Sequence, residues 1–408
     1  MKICIFTESF YRGGLDTFIA NLVSSWPRNE DSFTLVLNET HPSKEYFIER
    51  FEKKITVETY DYARLWSYNT QTHLSFHFWL KKMVSWALYY IFYYPLYVYK
   101  LYTYFKICDF DRLIIVNGGH PGSLVCRVSG IAWRVAKGKK LRSIYTIHNL
   151  PSYHILPSFA QKIVYSLEYI VDFPLSKCVS SIRTVSKTCF ESFAQVRPIF
   201  HSGKFDYIYN GIQDPSLSEE GRLSAGVLDS HYCLMLASFE PRKGHKYLFD
   251  AFLEVSKKMP DIKLIVCGSG SNAQFDEINK MVICRQLEKR VLVKHYIENP
   301  VNLIANASVV LVPSIEFESF GLTVIEAMAM SVPVIVTDSG GPAEIISRFG
   351  GGIICSAENP NEFAEAIIKI LTNKHFAHAI GVEGRKSFER HFLASKMSKE
   401  YCSLLSVD

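Results

Sequence analysis

None of the ten cysteines stands within three residues of another, so the chain carries no Cys-x-x-Cys pair and no legible zinc spacing. Cysteines scattered in this way read as small buried hydrophobes in a reducing compartment. Charge of one sign is also scarce. A net +5 from 45 basic and 40 acidic residues gives no reason to expect nucleic acid as a partner, though it suits anionic substrates or an anionic membrane surface. No segment repeats at a fixed short period, which argues against a solenoid. Met1-Lys2-Ile3-Cys4-Ile5-Phe6-Thr7 is too short an apolar stretch for a secretory leader and reads as a strand, so the chain is expected to begin inside a folded domain. Residues 8–14 lack the Gly-x-Gly-x-x-Gly that a nicotinamide-dependent oxidoreductase would place after that strand. No metal signature is legible, and no divalent ion or cofactor is expected.

What is present is alternation. At 408 residues, 48% of them hydrophobic, the chain exceeds what one core organises. Apolar runs alternate with amphipathic stretches as in repeated βα units, which implies an α/β fold. One series of strands is expected at Ile3–Thr7, Phe33–Leu37, Leu113–Val116, Ser143–Ile147 and Ile182–Val185. A second is expected at Tyr232–Ala237, Lys263–Cys267, Val291–Lys294, Val309–Val312, Pro333–Val336 and Gly352–Cys355. The Pro-, Ser- and Gly-containing stretch 214–230 reads as a linker. The expected domains are 1–205 and 206–385, with 386–408 a terminal helix that returns to the first.

The densest chemistry lies at residues 307–328. Ala307–Pro313 is a β-branched run suited to a strand buried on both faces, and a loop must follow the proline. From Phe320 the apolar residues Leu322, Ile325, Ala327 and Met328 recur at helical spacing, so a helix is expected to start near Phe320–Thr323. Free N–H groups and the positive end of the macrodipole make that start, with Phe320, Gly321 and Leu322, a seat for a diphosphate. A carboxylate beside phosphates must face something uncharged that donates, so Glu318 suits sugar hydroxyls. Glu326, about 9 Å further along the helix, suits a ribose diol. The plainer alternative is that Glu318 caps the helix and Glu326 pairs with a surface lysine.

Other strand ends carry candidates too. Gly13 and Gly14 follow the first strand, where paired glycines permit positive φ and close approach of a ligand, or simply make a tight turn. His148 ends the strand Tyr145-Thr146-Ile147, the end at which open α/β sheets bind ligands. His120, after another strand, could face an acceptor. In Ser238-Phe239-Glu240-Pro241-Arg242-Lys243-Gly244, Lys243 precedes a helix and would add a full charge beside a phosphate. Val266–Ser271 and Tyr209-Asn210-Gly211 are weaker turn signals.

Pro313-Ser314, Glu318, Phe320-Gly321, Glu326-Ala327-Met328-Ala329, Pro333-Val334-Ile335 and Ser339-Gly340-Gly341 with Glu344 resemble, in order and spacing, the retaining glycosyltransferases of family four. The resemblance covers most of the chain. It implies the GT-B fold, two Rossmann-like domains facing a cleft, with an acceptor-binding first domain and a nucleotide-sugar-binding second one. It implies that Glu318 contacts the transferred sugar and Glu326 the nucleotide ribose, that His148 is the active-site histidine, and that Gly13 and Gly14 lie beside the donor phosphates. A UDP-sugar donor is favoured by the resemblance, with a GDP-sugar as the alternative. Two departures stand out. Asp16 replaces a glutamate, and Ala237-Ser238 replaces a Gly-Arg pair, which leaves Ser238 with one hydroxyl where an arginine fork would bind two oxygens. Arg242 could compensate.

Between Lys82 and Lys100, seventeen uncharged residues include Trp86, Tyr89, Tyr90, Phe92, Tyr93, Tyr94, Tyr97 and Tyr99, interrupted by Pro95. Seventeen helical residues reach about 25 Å, short of a hydrocarbon core of roughly 30 Å. Residues 83–99 therefore read as an interfacial helix pair, aided by Lys81, Lys82, Lys100 and the basic run Arg134–Arg142, or as a buried aromatic helix. The combined expectation is metal-independent, retaining transfer of a hexose or related sugar to a glycan or polyprenyl-linked acceptor. Such an enzyme would serve lipopolysaccharide or capsule synthesis, peripheral at the cytoplasmic face of the membrane. A catalytically silent scaffold that binds a glycan, lipid or partner protein is the alternative.

Overall fold

A computed structural model describes residues 1–9, 12–51, 54–62, 89–120, 122–150, 158–200, 203–217 and 232–406. The expectations for residues 81–88 of the aromatic stretch and for 218–230 of the linker lie outside the described residues.

The chain forms two compact units, one of residues 1–185, 190–208 and 398–408, the other of 186–189 and 209–397. The first holds seven parallel strands: β1 (Lys2–Thr7), β2 (Ser32–Asn38), β3 (Ile55–Tyr60), β4 (Arg112–Asn117), β5 (Ser143–Ile147), β6 (Ser181–Thr184) and β7 (Phe205–Tyr207), in the order β3-β2-β1-β4-β5-β6-β7. The second holds six: β8 (Tyr232–Leu236), β9 (Lys263–Gly268), β10 (Val291–His295), β11 (Val309–Val312), β12 (Val334–Thr337) and β13 (Gly352–Cys355), in the order β10-β9-β8-β11-β12-β13. Helices cover both kinds of sheet, which is why central strands such as β4 and β11 are continuously apolar and buried. β3 and β7 were not expected. Each sits at a sheet edge, β3 half-exposed and β7 only three residues long, so neither carries a long apolar run.

Residues 386–397 belong to the second unit, so the terminal segment of the first begins later than expected, at Ser398. There Ser398 Oγ donates to the Leu22 carbonyl (2.9 Å), Arg112 Nε donates to the Leu405 carbonyl (2.6 Å), and Tyr401 packs edge-on against Phe18.

Below β4 the first unit buries a charge cluster. Arg127, on helix Leu124–Lys137, meets Glu168 and Asp172 of helix Ser158–Cys178; Asp172 also takes His120 Nε2 at 3.0 Å and Arg197 Nε at 3.3 Å. All five are buried. His120 therefore does not face an acceptor: its ring is flanked by Phe193 and Phe200, and its partner lies too far along the sequence to be read from spacing. Burial would raise the Asp172 carboxyl, but His120, Arg127 and Arg197 outweigh it and hold it below the ordinary value. Its stabilisation is thus present at neutral pH and lost as pH falls through that depressed value. Asp172→Ala would take the shared carboxylate from His120, Arg127 and Arg197, leaving Arg127 with Glu168, and is expected to cost about 3–5 kcal/mol in urea unfolding.

Pro95 does not interrupt a helix. It occupies the first turn of helix Tyr94–Ile107, where its missing N–H costs nothing, after a π-helical turn at Tyr89–Tyr93. Tyr90 and Tyr97 are buried, whereas Phe92, Leu96 and Tyr99 are exposed, so the element is amphipathic. No helix among the described residues is long and apolar enough to cross a membrane.

Candidate active site

In open parallel sheets, ligands bind beyond the carboxyl ends of strands where the strand order reverses. In the second sheet that point lies between β8 and β11, and the loops that follow those two strands touch. Ile315 N–H donates to the Arg242 carbonyl (3.0 Å). Gly244 has φ +77°, and a Cβ there would sit 1.8 Å from the Pro313 oxygen, so only glycine allows the approach.

This approach brings Lys243 to Glu318. Lys243 Nζ donates to Glu318 Oε1 at 2.8 Å, and Ser314 Oγ donates to Oε2 at 2.6 Å. Burial would raise the Glu318 carboxyl, yet Lys243 first, then the Ser314 hydroxyl and Arg242, hold it below the ordinary value. The expectation that Glu318 faces an uncharged donor is thus half met, by Ser314; its other oxygen carries an ammonium. Ser314 escaped the sequence reading, although a serine that ends a buried strand four residues before the glutamate was the available signal. Glu240 escaped as well. It accepts from Ser238 Oγ (2.7 Å) and Arg242 Nε (2.6 Å), so both residues considered for phosphate binding converge on one carboxylate.

The helix begins at Leu322, within the expected Phe320–Thr323, with Gly321 as its left-handed cap (φ +91°). Phe320 is buried, its ring 6.2 Å from Phe392, so only its backbone can serve a ligand. The loop before the helix is clasped from β12: Thr337 Oγ1 donates to the Ser314 carbonyl (2.5 Å), and Gly341 N–H donates to the Glu318 carbonyl (2.6 Å). Gly340, at φ +70°, leaves no room for a Cβ, which would lie 2.2 Å from the Glu318 oxygen. Gly340→Ala is therefore expected to lose about 1–3 kcal/mol in thermal unfolding.

Glu326, on the second turn of that helix, is half-buried with no hydrogen-bond or ion-pair partner recorded among the described residues. Burial alone pushes its carboxyl up to about 7. The alternative pairing with a surface lysine is not seen.

In the first unit, β1 and β4 flank the reversal, and Thr7 Oγ1 ties them through the Val116 carbonyl (2.9 Å). Gly13 is extended (φ 178°) and Gly14 is not left-handed, so backbone freedom is not what the pair supplies. Gly13 instead leaves open space: a Cβ there would meet nothing within 4 Å. Asp16 is structural. Its Oδ2 accepts from Gly13 N–H (3.2 Å) and Ser43 Oγ (2.8 Å), capping helix Gly14–Ser24. His148, just past β5, donates its backbone N–H to the Asn117 carbonyl (3.1 Å) and sets its ring against Phe18. Thr146 Oγ1 donates to the Ile115 carbonyl (3.2 Å) and lies 3.0 Å from His148 Nε2. With its one proton so used, the hydroxyl receives Nε2–H, which leaves Nδ1 as an acceptor. Burial pushes the imidazole down to about 3, so it is neutral at physiological pH.

The remaining signals are structural. Asp109-Phe110-Asp111 spells Asp-x-Asp but precedes β4, at the wrong end of the sheet for a ligand, and both carboxylates are bonded by Lys2. Gly268 admits the Ala237 carbonyl, while Ser271 caps helix Asn272–Ile283. Gly211 makes room for Leu393, and Tyr209 donates to Glu344 (2.5 Å).

Residues 224–387 match the family described as Glycosyl transferases group 1. An uncharacterized glycosyltransferase of Methanocaldococcus jannaschii is 30% identical over 186 residues, 45% of this chain and 48% of its own length, so the chain spans about half of that relative. The capsular polysaccharide biosynthesis glycosyltransferase CapM of Staphylococcus aureus is 24% identical over 308 residues, 73% of this chain and 77% of its own. The crystal structure of Anabaena HepE in complex with UDP and glucose aligns over 100% of both chains, with a TM-score of 0.74 and 18% identity. That likeness is one of fold, and the architecture is GT-B, built of two parallel α/β units.

Proposed function

We propose, for a chain whose residues 224–387 match the group 1 glycosyl transferases, that it moves a sugar from a UDP donor to a hydroxyl of a glycan or lipid-linked glycan. The setting is assembly of a cell-surface polysaccharide, in the cytoplasm and peripheral to the membrane. The observation that carries the reading is the Lys243–Glu318–Ser314 cluster, set where strand order reverses and beside the Leu322 helix start. Support for uridine comes from the HepE complex with UDP, and support for a polysaccharide acceptor from the likeness to CapM.

In this reading the diphosphate lies on the N–H groups of Phe320, Gly321 and Leu322 and draws Lys243 to itself. The acceptor oxygen bonds to the anomeric carbon as the bond to the diphosphate oxygen breaks; UDP leaves with the electron pair, and the acceptor hydroxyl's proton passes to the departing phosphate oxygen. Negative charge grows on the leaving group, so amides and ammonium stabilise the transition state more than the ground state. That positive charge replaces a divalent ion. Glu318, released from Lys243, holds sugar hydroxyls together with Ser314, and retention of configuration is part of the assignment. Glu326 takes the ribose diol. Ser238 stays with Glu240 near the phosphates; within the first unit, the open backbone of Gly13 and Gly14 and a neutral His148 are the groups assigned to ligand hydroxyls.

A thermal-shift panel of nucleotide sugars tests the whole. At a hundredfold excess over Kd, a UDP-sugar is expected to add about 2.7 kcal/mol of stability. If no UDP- or GDP-sugar raises Tm, the reading is wrong. Binding without turnover on any glycan acceptor would leave the silent scaffold.

A further inference from the structure

Three helices of the first unit lie side by side, Tyr94–Ile107 on Leu124–Lys137 and the latter on Ser158–Cys178. Tyr90 ties them together, because its hydroxyl accepts from Arg127 of the second helix and interacts with Glu168 of the third. Their outward faces are apolar. Phe92, Leu96, Tyr99, Val135, Ile170 and Phe173 are 42–65% exposed. On the first helix they fall at helical spacing, and on the third Tyr169, Ile170, Phe173 and Lys177 form an exposed stripe. A shallow groove of about 340 Å³ runs between the first two helices, lined by Tyr94, Val98, Tyr99, Tyr102 and Val135.

The charge around this face has one sign. Residues 89–107 and 124–142 contain no Asp or Glu, and the third helix has only Glu168 and Asp172, both buried in the Arg127 cluster. Asp109 and Asp111, just beyond Ile107, are bonded to Lys2. Lys100, Lys106, Lys139, Lys140 and Lys177 are exposed. The ammonium groups of Lys100, Lys106 and Lys177 sit over the rings of Tyr62, Tyr102 and Phe173, so cationic heads and aromatic surface are interleaved on this face.

We propose that this three-helix face docks on the surface of an anionic phospholipid bilayer. The inference extends the reading of a lipid-linked acceptor, but the docking itself does not depend on the donor site. Apolar side chains with tyrosines at their margin fit the headgroup boundary, and lysines around them fit anionic lipid. A second copy of the chain fits worse, because a two-fold pairing would set each lysine cluster against its twin.

Vesicle flotation tests it with phosphatidylcholine alone and with one-third phosphatidylglycerol. The protein is expected to float with the anionic vesicles at low salt and to be released by high salt. Two variants lie outside the donor site: Phe92→Ser/Leu96→Ser/Tyr99→Ser, and Lys100→Glu/Lys106→Glu. Each is expected to lower partition about tenfold or more while keeping a cooperative thermal transition. Lys243→Ala is expected to float like the parent, which separates failure of this inference from failure of the donor assignment. Absence of the parent from anionic vesicles, or equal partition by both variants, overturns the proposal. So does a change of oligomeric mass in the serine variant, which would point to a second copy.

Discussion

Lys243→Ala is expected to weaken UDP binding about 100-fold or more, because truncating one member of a close, desolvated charge pair costs on the order of 2–5 kcal/mol. Glu318→Gln is expected to do the opposite to binding and far more to turnover. The amide keeps an acceptor for Ser314 but no longer holds the ammonium, which now lies 2.8 Å from Glu318 Oε1. UDP then competes with no internal anion, so its Kd should stay level or fall. Without a carboxylate for the sugar hydroxyls, kcat should drop roughly 100- to 1,000-fold, the size seen when one preorganised transition-state contact is removed. Calorimetric titration with UDP, set beside steady-state kinetics, reads the two effects apart. A loss of UDP affinity in Glu318→Gln equal to that in Lys243→Ala would mean that the pair is only a structural bridge between two loops. The stability cost of either change should be small, about 1–2 kcal/mol, since water reaches both side chains in part. The Glu318 carboxyl lies below its ordinary value, so its contribution to stability holds above about pH 4.5 and is lost on acidification.

The second large effect concerns Glu326 and pH. Its carboxyl is raised to about 7 by burial without a compensating partner, so the folded chain takes up a proton that the unfolded chain does not hold near neutrality. The contribution of this group to stability is therefore largest below pH 4.5 and falls as pH rises from there through 7. Glu326→Gln removes that fall. The variant should match the parent at pH 4 and exceed it by about 1–3 kcal/mol at pH 8 in denaturant unfolding, the span set by partial exposure of the group. A ribose diol supplies the missing donors to the ionised form. UDP affinity of the parent should then drop as pH falls below 7, approaching tenfold per unit, whereas Glu326→Gln should follow only the titration of UDP itself. Identical pH profiles for the two proteins would remove the ribose from Glu326.

Central elements and peripheral ones were not equally legible. β5 and β11 occupy Ser143–Ile147 and Val309–Val312, the bounds their sequence implies, because a central strand buried on both faces must be apolar almost throughout. β3 alternates Ile-Thr-Val-Glu-Thr-Tyr at an edge and carried too weak a pattern. The helix start at Leu322 falls within the expected Phe320–Thr323, although the Phe320 ring, which shares the helical spacing of the apolar face, is drawn into the core beside Phe392. Pro95 was read as a break when its place in the first turn makes it a beginning.

By itself the sequence determined the class of fold and the motif that resembles the glycosyltransferases, because burial demands, turn residues and the spacing between two glutamates are local and survive translation into a string of letters. Only the tertiary structure decided the partners. Lys243 and Glu318 stand far apart in sequence and meet because β8 and β11 are neighbours where the sheet reverses. His120 looked free for an acceptor and is held by Asp172 from a different helix. Pairing of charges depends on distance in space, and in a parallel sheet that distance is fixed by strand order, which no local pattern encodes.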